Sequence, residues 1–206
     1  KGEAEPAKPD SSGLLAKASP ETSAMTLFIY DGASVRLYYM FDSEKEREIL
    51  DDLSSVKAEP AEDWSAKDAS LPVYGIEIGR EDGLSLFAAW TNGRWIAQDG
   101  SVYQFDYDFE ALKQRKEWES AGELPSFTNF PCARVFTQEK DKWNTRFLVP
   151  AAPLNPPSGI TMTLDSWDKD IAAVTINNES GGEWSCGEFY ELQVLIDGVW
   201  YEIPAM

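Results

Sequence analysis

The sequence predicts an α+β fold: an N-terminal antiparallel β-meander with two flanking helices, followed by a small all-β domain. Three observations carry this prediction. Residues 74–105 hold four short apolar runs separated by Asp82-Gly83, Asn92-Gly93 and Asp99-Gly100, dipeptides that favour tight hairpin turns. Helix-start signals flank that stretch at Ser43 and Asp106. After residues 150–159, which include Pro150, Pro153, Pro156 and Pro157, the pattern is period-two alternation alone.

The chain divides into a tether at 1–23, an α+β domain at 24–149, a Pro-rich linker at 150–159 and a β-domain at 160–206. The tether is rich in Pro, Glu, Ala and Ser, and Leu14-Leu15 is its one apolar pair. Met25–Tyr30 and Val35–Met40 are β-rich runs separated by Asp31-Gly32, a hairpin cue. Ser43 and Glu46 form an S-x-x-E capping box, and Ile49, Leu50, Leu53 and Val56 follow at helical spacing. A helix over about 43–56 is expected, then a polar loop over 57–70 containing Pro60.

Two-residue turns at the three Gly dipeptides set a register for 74–105. Trp90 then faces Trp95, Ile78 faces Phe87, and Ile96 faces Tyr103. One face collects Tyr74, Ile76, Ile78, Phe87, Ala89, Ile96, Tyr103 and Phe105, which has core composition. The other carries Gly75, Glu77 and Gly79 beside Trp90 and Trp95, where little bulk is available to cover the indoles. Trp90, Trp95 and Glu77 are therefore the candidate ligand-binding face, an aromatic platform with a carboxylate beside it. Hairpin packing of two indoles is the plainer account of the same pair.

Asp106 and Asp108 begin a second helix with Phe109 and Leu112 in its apolar stripe, ended by Gly122 and Pro125. Strands are expected at Ala133–Thr137 and 146–149. In the C-terminal part, Ile160, Met162 and Leu164 alternate with polar residues, and Ala172, Val174 and Ile176 form a second strand. A third strand over 189–196 turns at Asp197-Gly198 into Val199 and beyond. This pairs Ile196 with Val199 and Val194 with Tyr201 on one face, and Leu195 with Trp200 on the other.

The pieces Ile160-Thr-Met-Thr-Leu164, Ala173-Val-Thr-Ile-Asn-Asn178, Tyr190-Glu-Leu192 and Asp197-Gly-Val-Trp-Tyr-Glu-Ile-Pro204 resemble the bacterial Ig-like domain of uncharacterised Gram-positive surface lipoproteins. The resemblance covers about a quarter of the chain. It implies a cell-surface location, with lipid anchorage at the N-terminus, and implies no reaction. Family members usually continue into further strands, whereas this chain stops at Met206. Four strands do not close a seven-strand sandwich, so either the domain is cut short or its open face packs on the first domain.

Composition excludes several functions. The 206 residues include 36 acidic and 18 basic side chains and no His, a net charge of −18. Such acidity argues against a phosphate-backbone partner, so no nucleic acid is expected. Without His there is no Ser-His-Asp or Cys-His catalysis and no imidazole metal ligand. Cys132 and Cys186 have no metal-like spacing, and a disulfide and two separate thiols both fit them. Asp165, Asp168 and Asp170 lack the calcium-loop pattern and read as a solvated acidic turn. No apolar run is long enough to span a membrane as a helix. A start at Lys1 fits a processed or truncated N-terminus, as removal of a signal peptide leaves. We expect no catalytic residue, metal or cofactor. The expected function is a non-catalytic binding or structural module engaging a protein or glycan at the cell surface. The competing reading is a carbohydrate-active hydrolase using Asp/Glu pairs. The sequence does not indicate the oligomeric state.

Overall fold

A computed structural model describes residues 13–19, 24–61, 63–124, 127–139, 142–152, 158–168, 171–183, 185 and 192–204. The protein is mostly antiparallel β-sheet with few, short helices. The central sheet is built from β1 (Met25–Tyr30), β2 (Val35–Met40), β3 (Ala58–Pro60), β4 (Val73–Gly79), β5 (Ser85–Thr91), β6 (Arg94–Ala97), β7 (Val102–Phe105) and β8 (Glu119–Leu124). Their spatial order is β3-β7-β6-β5-β4-β1-β2-β8, and every neighbouring pair is antiparallel.

The expected Asn92-Gly93 turn is present. Asn92 and Gly93 both have positive φ (49° and 72°), and Trp90 pairs with Trp95. The other two turns differ from expectation by one residue each. At Asp82-Gly83 only Gly83 has positive φ; Gly83 N–H donates to Arg80 O at 3.0 Å and Arg80 N–H to Leu84 O at 2.9 Å. Between Arg80 and Leu84 this is a three-residue loop closed by a left-handed glycine, so Ile78 pairs with Leu86 and not Phe87. The same geometry recurs at Asp99-Gly100, where Ile96 pairs with Val102 and not Tyr103. A one-residue slip moves a strand's side chains to the other face, so β4 and β7 are both inverted relative to the expected sorting.

Both sheet faces are consequently covered. One packs Tyr74, Ile76, Ile78, Ala88, Trp95 and Phe105 with Met25, Leu27 and Ile29 beneath α1 (Ser43–Ser54) and α2 (Phe109–Lys113). These helices contribute Ile49, Leu50 and Leu53, and Phe109 and Leu112. The other face packs Phe28, Tyr30, Val35, Val73, Ala89 and Ile96 against Phe127, Phe130, Phe147 and the Ala133 and Phe136 side chains of α3 (Ala133–Thr137). Every residue of β1 is buried, as a strand covered on both faces requires.

Local elements depart from expectation for identifiable reasons. Asp42, not Ser43, caps α1, accepting from Glu44 N–H at 3.0 Å and Lys45 N–H at 3.2 Å. Glu46 is thereby released from the capping box and accepts the Met25 N–H at the open start of β1, at 3.0 Å. The second helix stops at Lys113, with the Trp118 indole N–H donating to Leu112 O at 2.9 Å. The chain then forms β8, which pairs along the free edge of β2. Ala133–Thr137 is a single helical turn and not a strand, because Ala133 and Phe136 at i, i+3 enter the core together. Within the expected loop 57–70, Ala58–Pro60 pairs with β7 at the sheet edge, where proline is tolerated. Part of the expected tether is docked: Leu15 is buried, and Ser19 N–H donates to Gly79 O at 2.7 Å.

A short antiparallel pair joins β9 (Gln138–Glu139) to β10 (Lys142–Trp143). The C-terminal part forms two small sheets. β12 (Ile160–Asp168) pairs with β13 (Ile171–Asn178). Separately, β11 (Val149–Pro150) pairs with β15 (Val199–Glu202), and β15 with β14 (Gln193–Ile196). The expected β14–β15 register is observed, with Asp197 and Gly198 both at positive φ. The expected third strand is seen from Gln193; its residues 189–191 lie outside the described residues, as does Cys186. Cys132 is a free thiol.

Two outcomes follow from the packing. A Cβ on Gly75 would lie 2.9 Å from Pro131 Cγ and 3.0 Å from Phe130 Cζ. Gly75→Ala is expected to lower stability by about 1–3 kcal/mol through overpacking, measured by urea denaturation; an unchanged midpoint would refute that packing. Burial pushes the Glu46 carboxyl up, the Met25 N–H opposes this and Asp42 adds to the rise. A raised folded-state value means that this residue's contribution to stability falls as pH rises through the carboxylate range. Glu46→Gln keeps an acceptor and removes the charge. Its melting temperature relative to wild type should therefore increase from about pH 4 to about pH 7, and a difference independent of pH would contradict the assignment.

Candidate functional site

The register separates the residues expected to form a platform. Trp90 and Trp95 share a face, as anticipated, but it is the face beneath α1 and α2. Trp95 is 2% exposed and lies against Phe105, with ring centroids 4.9 Å apart. Trp90 is half-buried, stacks on Phe109 at 5.1 Å, and donates its indole N–H to Phe105 O at 2.9 Å. Glu77 belongs to the opposite face, half-buried, where its carboxylate accepts the Ser85 hydroxyl at 2.7 Å. The three residues do not converge. The indoles instead hold the sheet to α2.

The exposed rim of Trp90 borders a cavity of about 520 Å³ together with Asp106, Tyr107, Asp108 and Glu110. Two of these carboxylates already have structural partners. Asp108 accepts Ala111 N–H at 2.8 Å and caps α2. Glu110 accepts the Tyr74 hydroxyl, a bond that holds its carboxyl below the usual range, while burial and the same bond push the tyrosine up. Acid–base chemistry on a glycoside needs one carboxyl held protonated near neutrality. Among the described residues the carboxyl shifted upward is that of Glu46, a core residue bonded to Met25 and lining none of the cavities described here.

A second concavity lies at the other end of the sheet. Cavities of about 560 and 700 Å³ adjoin there, sharing Gly100, Val135 and Gln138. Their walls are the β6–β7 turn, residues 60–61 and 64–66, and α3. The turn wall is braced by Ala97 N–H to Ser101 O and Ser101 N–H to Asp99 Oδ1, both 2.9 Å. Ser65 and Ala66 are fixed by a capping box in which Ser65 N–H donates to Asp68 at 3.1 Å. At α3, Cys132 sits at φ 60°, and its thiol lies 3.4 Å from Ile96 O, pushed up to about 12 by burial. That thiol is protonated and inert at neutral pH.

The third feature is surface rather than cavity. A bulge at Asp165 sets Ser166 opposite Ala173 and Trp167 opposite Ala172. Met162, Leu164, Trp167, Val174 and Ile176 thereby share one face of the β12–β13 hairpin, with exposures of 70, 57, 64, 45 and 36%. The polar face carries Thr161, Thr163, Thr175 and Asn177. Among the described residues these five side chains remain exposed to solvent. Leu195 and Trp200, paired on the second small sheet, are each 52% exposed. The alternation was readable in the sequence. The cleft was not, because Trp64, Ser101 and Gln138 come from three segments with no common spacing.

No protein-family model, curated protein or solved structure matches the chain. Two substitutions check where the indoles lie. Trp95→Ala should cost about 3–5 kcal/mol as a large buried side chain, whereas Trp90→Phe should cost about 0.5–1.5 kcal/mol through the lost Phe105 bond. Chemical denaturation distinguishes this order from the near-neutral pair that an exposed platform would give.

Proposed function

We propose that the chain is a non-catalytic binding module of the Gram-positive cell surface, lipid-anchored at its N-terminus, that engages a partner protein through the apolar face of β12–β13. The observation carrying this reading is the exposure of five large apolar side chains on one face of one hairpin. Contiguous apolar surface of this kind marks interaction sites in soluble proteins. A two-stranded hairpin is marginal alone in water, so a covering partner would also stabilise it. The surface location rests on the resemblance of 160–206 to Ig-like lipoprotein domains. Two small antiparallel sheets, β12–β13 and β11–β15–β14, are what an Ig-like reading of this part would use as its halves.

Charge selects the kind of partner. Residues 151–206 carry nine carboxylates and one base, Lys169. A second copy would bring the same excess of negative charge to the contact. An apolar segment studded with Lys or Arg is matched to it, both on approach and when bound. An extended segment fits, because its alternation turns one apolar row onto that face.

The probe is an extended peptide alternating Val and Lys, titrated by fluorescence anisotropy against the full chain, with its Val/Glu counterpart as control. The Lys peptide should bind, weaken as salt is raised, and lose about tenfold or more in affinity to the Trp167→Ser/Ile176→Ser double variant. Equal binding of the Glu peptide, or undiminished binding by the variant, would sink the proposal. Sedimentation as a dimer lost in the same variant would assign the face to a second copy and would also overturn it.

A further inference from the structure

We propose that the cleft between the β6–β7 turn, residues 60–61 and 64–66, and α3 is a binding site for a neutral oligosaccharide. The site is independent of the β12–β13 face, and neither proposal rests on the other. Its two cavities, about 560 and 700 Å³, are each of the size that holds a small organic ligand, and they adjoin through Gly100, Val135 and Gln138.

The chemistry of the wall indicates the ligand class. Trp64, Val102, Tyr103 and Val135 supply apolar surface suited to the C–H faces of a pyranose. Gln138 stands where the two cavities meet, half-buried, and its carboxamide makes no hydrogen bond to the described residues. It offers two donors and an acceptor there. Trp64 Nε1, on the same wall, is buried with no acceptor. A buried donor left unpaired costs about 1–3 kcal/mol, so a small rearrangement that gave it a ligand oxygen would be favourable. Ser65 and Ser101 add hydroxyls along the first cavity.

Charge narrows the class further. Asp99, on the turn, is held in its ionised form by the Ser101 N–H and hydroxyl. With a chain charge of −18, it disfavours acidic sugars and anions. Arg134 lines the second cavity with a partner of its own, and Asp99 lies in the same lining, so the wall is mixed in charge and not a cationic receptor. What fits is a ligand without charge that both donates and accepts hydrogen bonds around an apolar ring. The walls are also braced before any ligand arrives, which lowers the ordering cost of binding.

The experiment is an amide-resolved NMR titration of the full chain with neutral cello-, malto- and chito-oligosaccharides. An oligogalacturonate and a neutral peptide of similar length serve as controls. At least one neutral saccharide should shift the amides of Ala61, Gly100, Ser101 and Gln138 together. Its affinity should fall about five- to tenfold in both Gln138→Leu and Trp64→Phe, each removing one hydrogen-bonding group. Circular dichroism on each variant verifies the fold, and Gln138→Glu, which adds a charge without changing shape, should also weaken binding. The proposal is overturned if no neutral saccharide moves those amides at millimolar concentration. It is equally overturned if the acidic oligomer or the peptide occupies the cleft preferentially, or if Gln138→Leu binds as wild type. Shifts confined to β12–β13 would remove the cleft proposal and leave the protein-partner proposal to its own test.

Discussion

Side-chain placement on the central sheet depends on how many residues in each turn take positive φ. Asn92 and Gly93 both do, and the loop has two residues; at Gly83 and Gly100 only the glycine does, and the loops have three. The third residue shifts the pairing by one and inverts one strand of the hairpin relative to the other. The two slips act together. They bring Tyr74, Ile76 and Ile78 onto the face of Trp90 and Trp95, and carry Tyr103 and Phe105 there as well. The result is one aromatic face large enough to seat both α1 and α2, and an opposite face with room at Gly75 for Phe130 and Pro131.

This constraint also explains which parts of the fold were legible. The strands, the helix carrying Ile49, Leu50 and Leu53, and the Asn92-Gly93 and Asp197-Gly198 registers follow from local pattern, and the structure contains them. Asp-Gly is less specific than Asn-Gly in this chain, since it closes a two-residue turn at 197–198 and three-residue loops at 81–83 and 98–100. Local pattern cannot separate those cases; the packing of Trp95 against Phe105 does. The same holds for Ala133–Thr137, whose β-branched and aromatic content suggests a strand until Ala133 and Phe136 are seen to enter one core. Leu15 reads as part of a tether because the site that buries it is built from distant strands. The candidate platform failed at the register, not in the recognition that Trp90 and Trp95 are neighbours.

With both sheet faces taken up by packing, two places on the described surface carry the recognition proposed above. One is the end of the sheet, where braced loops meet around Gln138. The other is the C-terminal pair of small sheets, whose apolar residues face solvent. The charge is distributed unevenly between them. Residues 1–150 hold 27 acids against 17 bases, whereas residues 151–206 hold nine against one. The acidity is thus densest beside the uncovered hairpin, where it sets the sign of a partner. In the cleft, Arg134 and Asp99 both line the second cavity, so its charge is mixed and a neutral ligand is better matched.

The handling of exposed strands supports treating β12–β13 as a surface meant to be covered. The central sheet protects its two edges. β3 is three residues long and ends at Pro60, while β8 carries Glu119 and Glu123 and is bulged beside Gly122, at φ 142°. These are the devices that keep a sheet from recruiting another strand. β12 uses its bulge differently. Were Asp165 paired in regular alternation, Trp167 would lie with Thr161 and Thr163; with the bulge, the indole joins Met162 and Leu164. Asp165 is held there by the Thr175 hydroxyl at 2.7 Å. A hairpin meant only to be solvated gains nothing from moving its largest side chain onto its apolar face. One that receives a partner gains a broad aromatic anchor at the end of a continuous row, the kind of residue that dominates binding energy at protein interfaces.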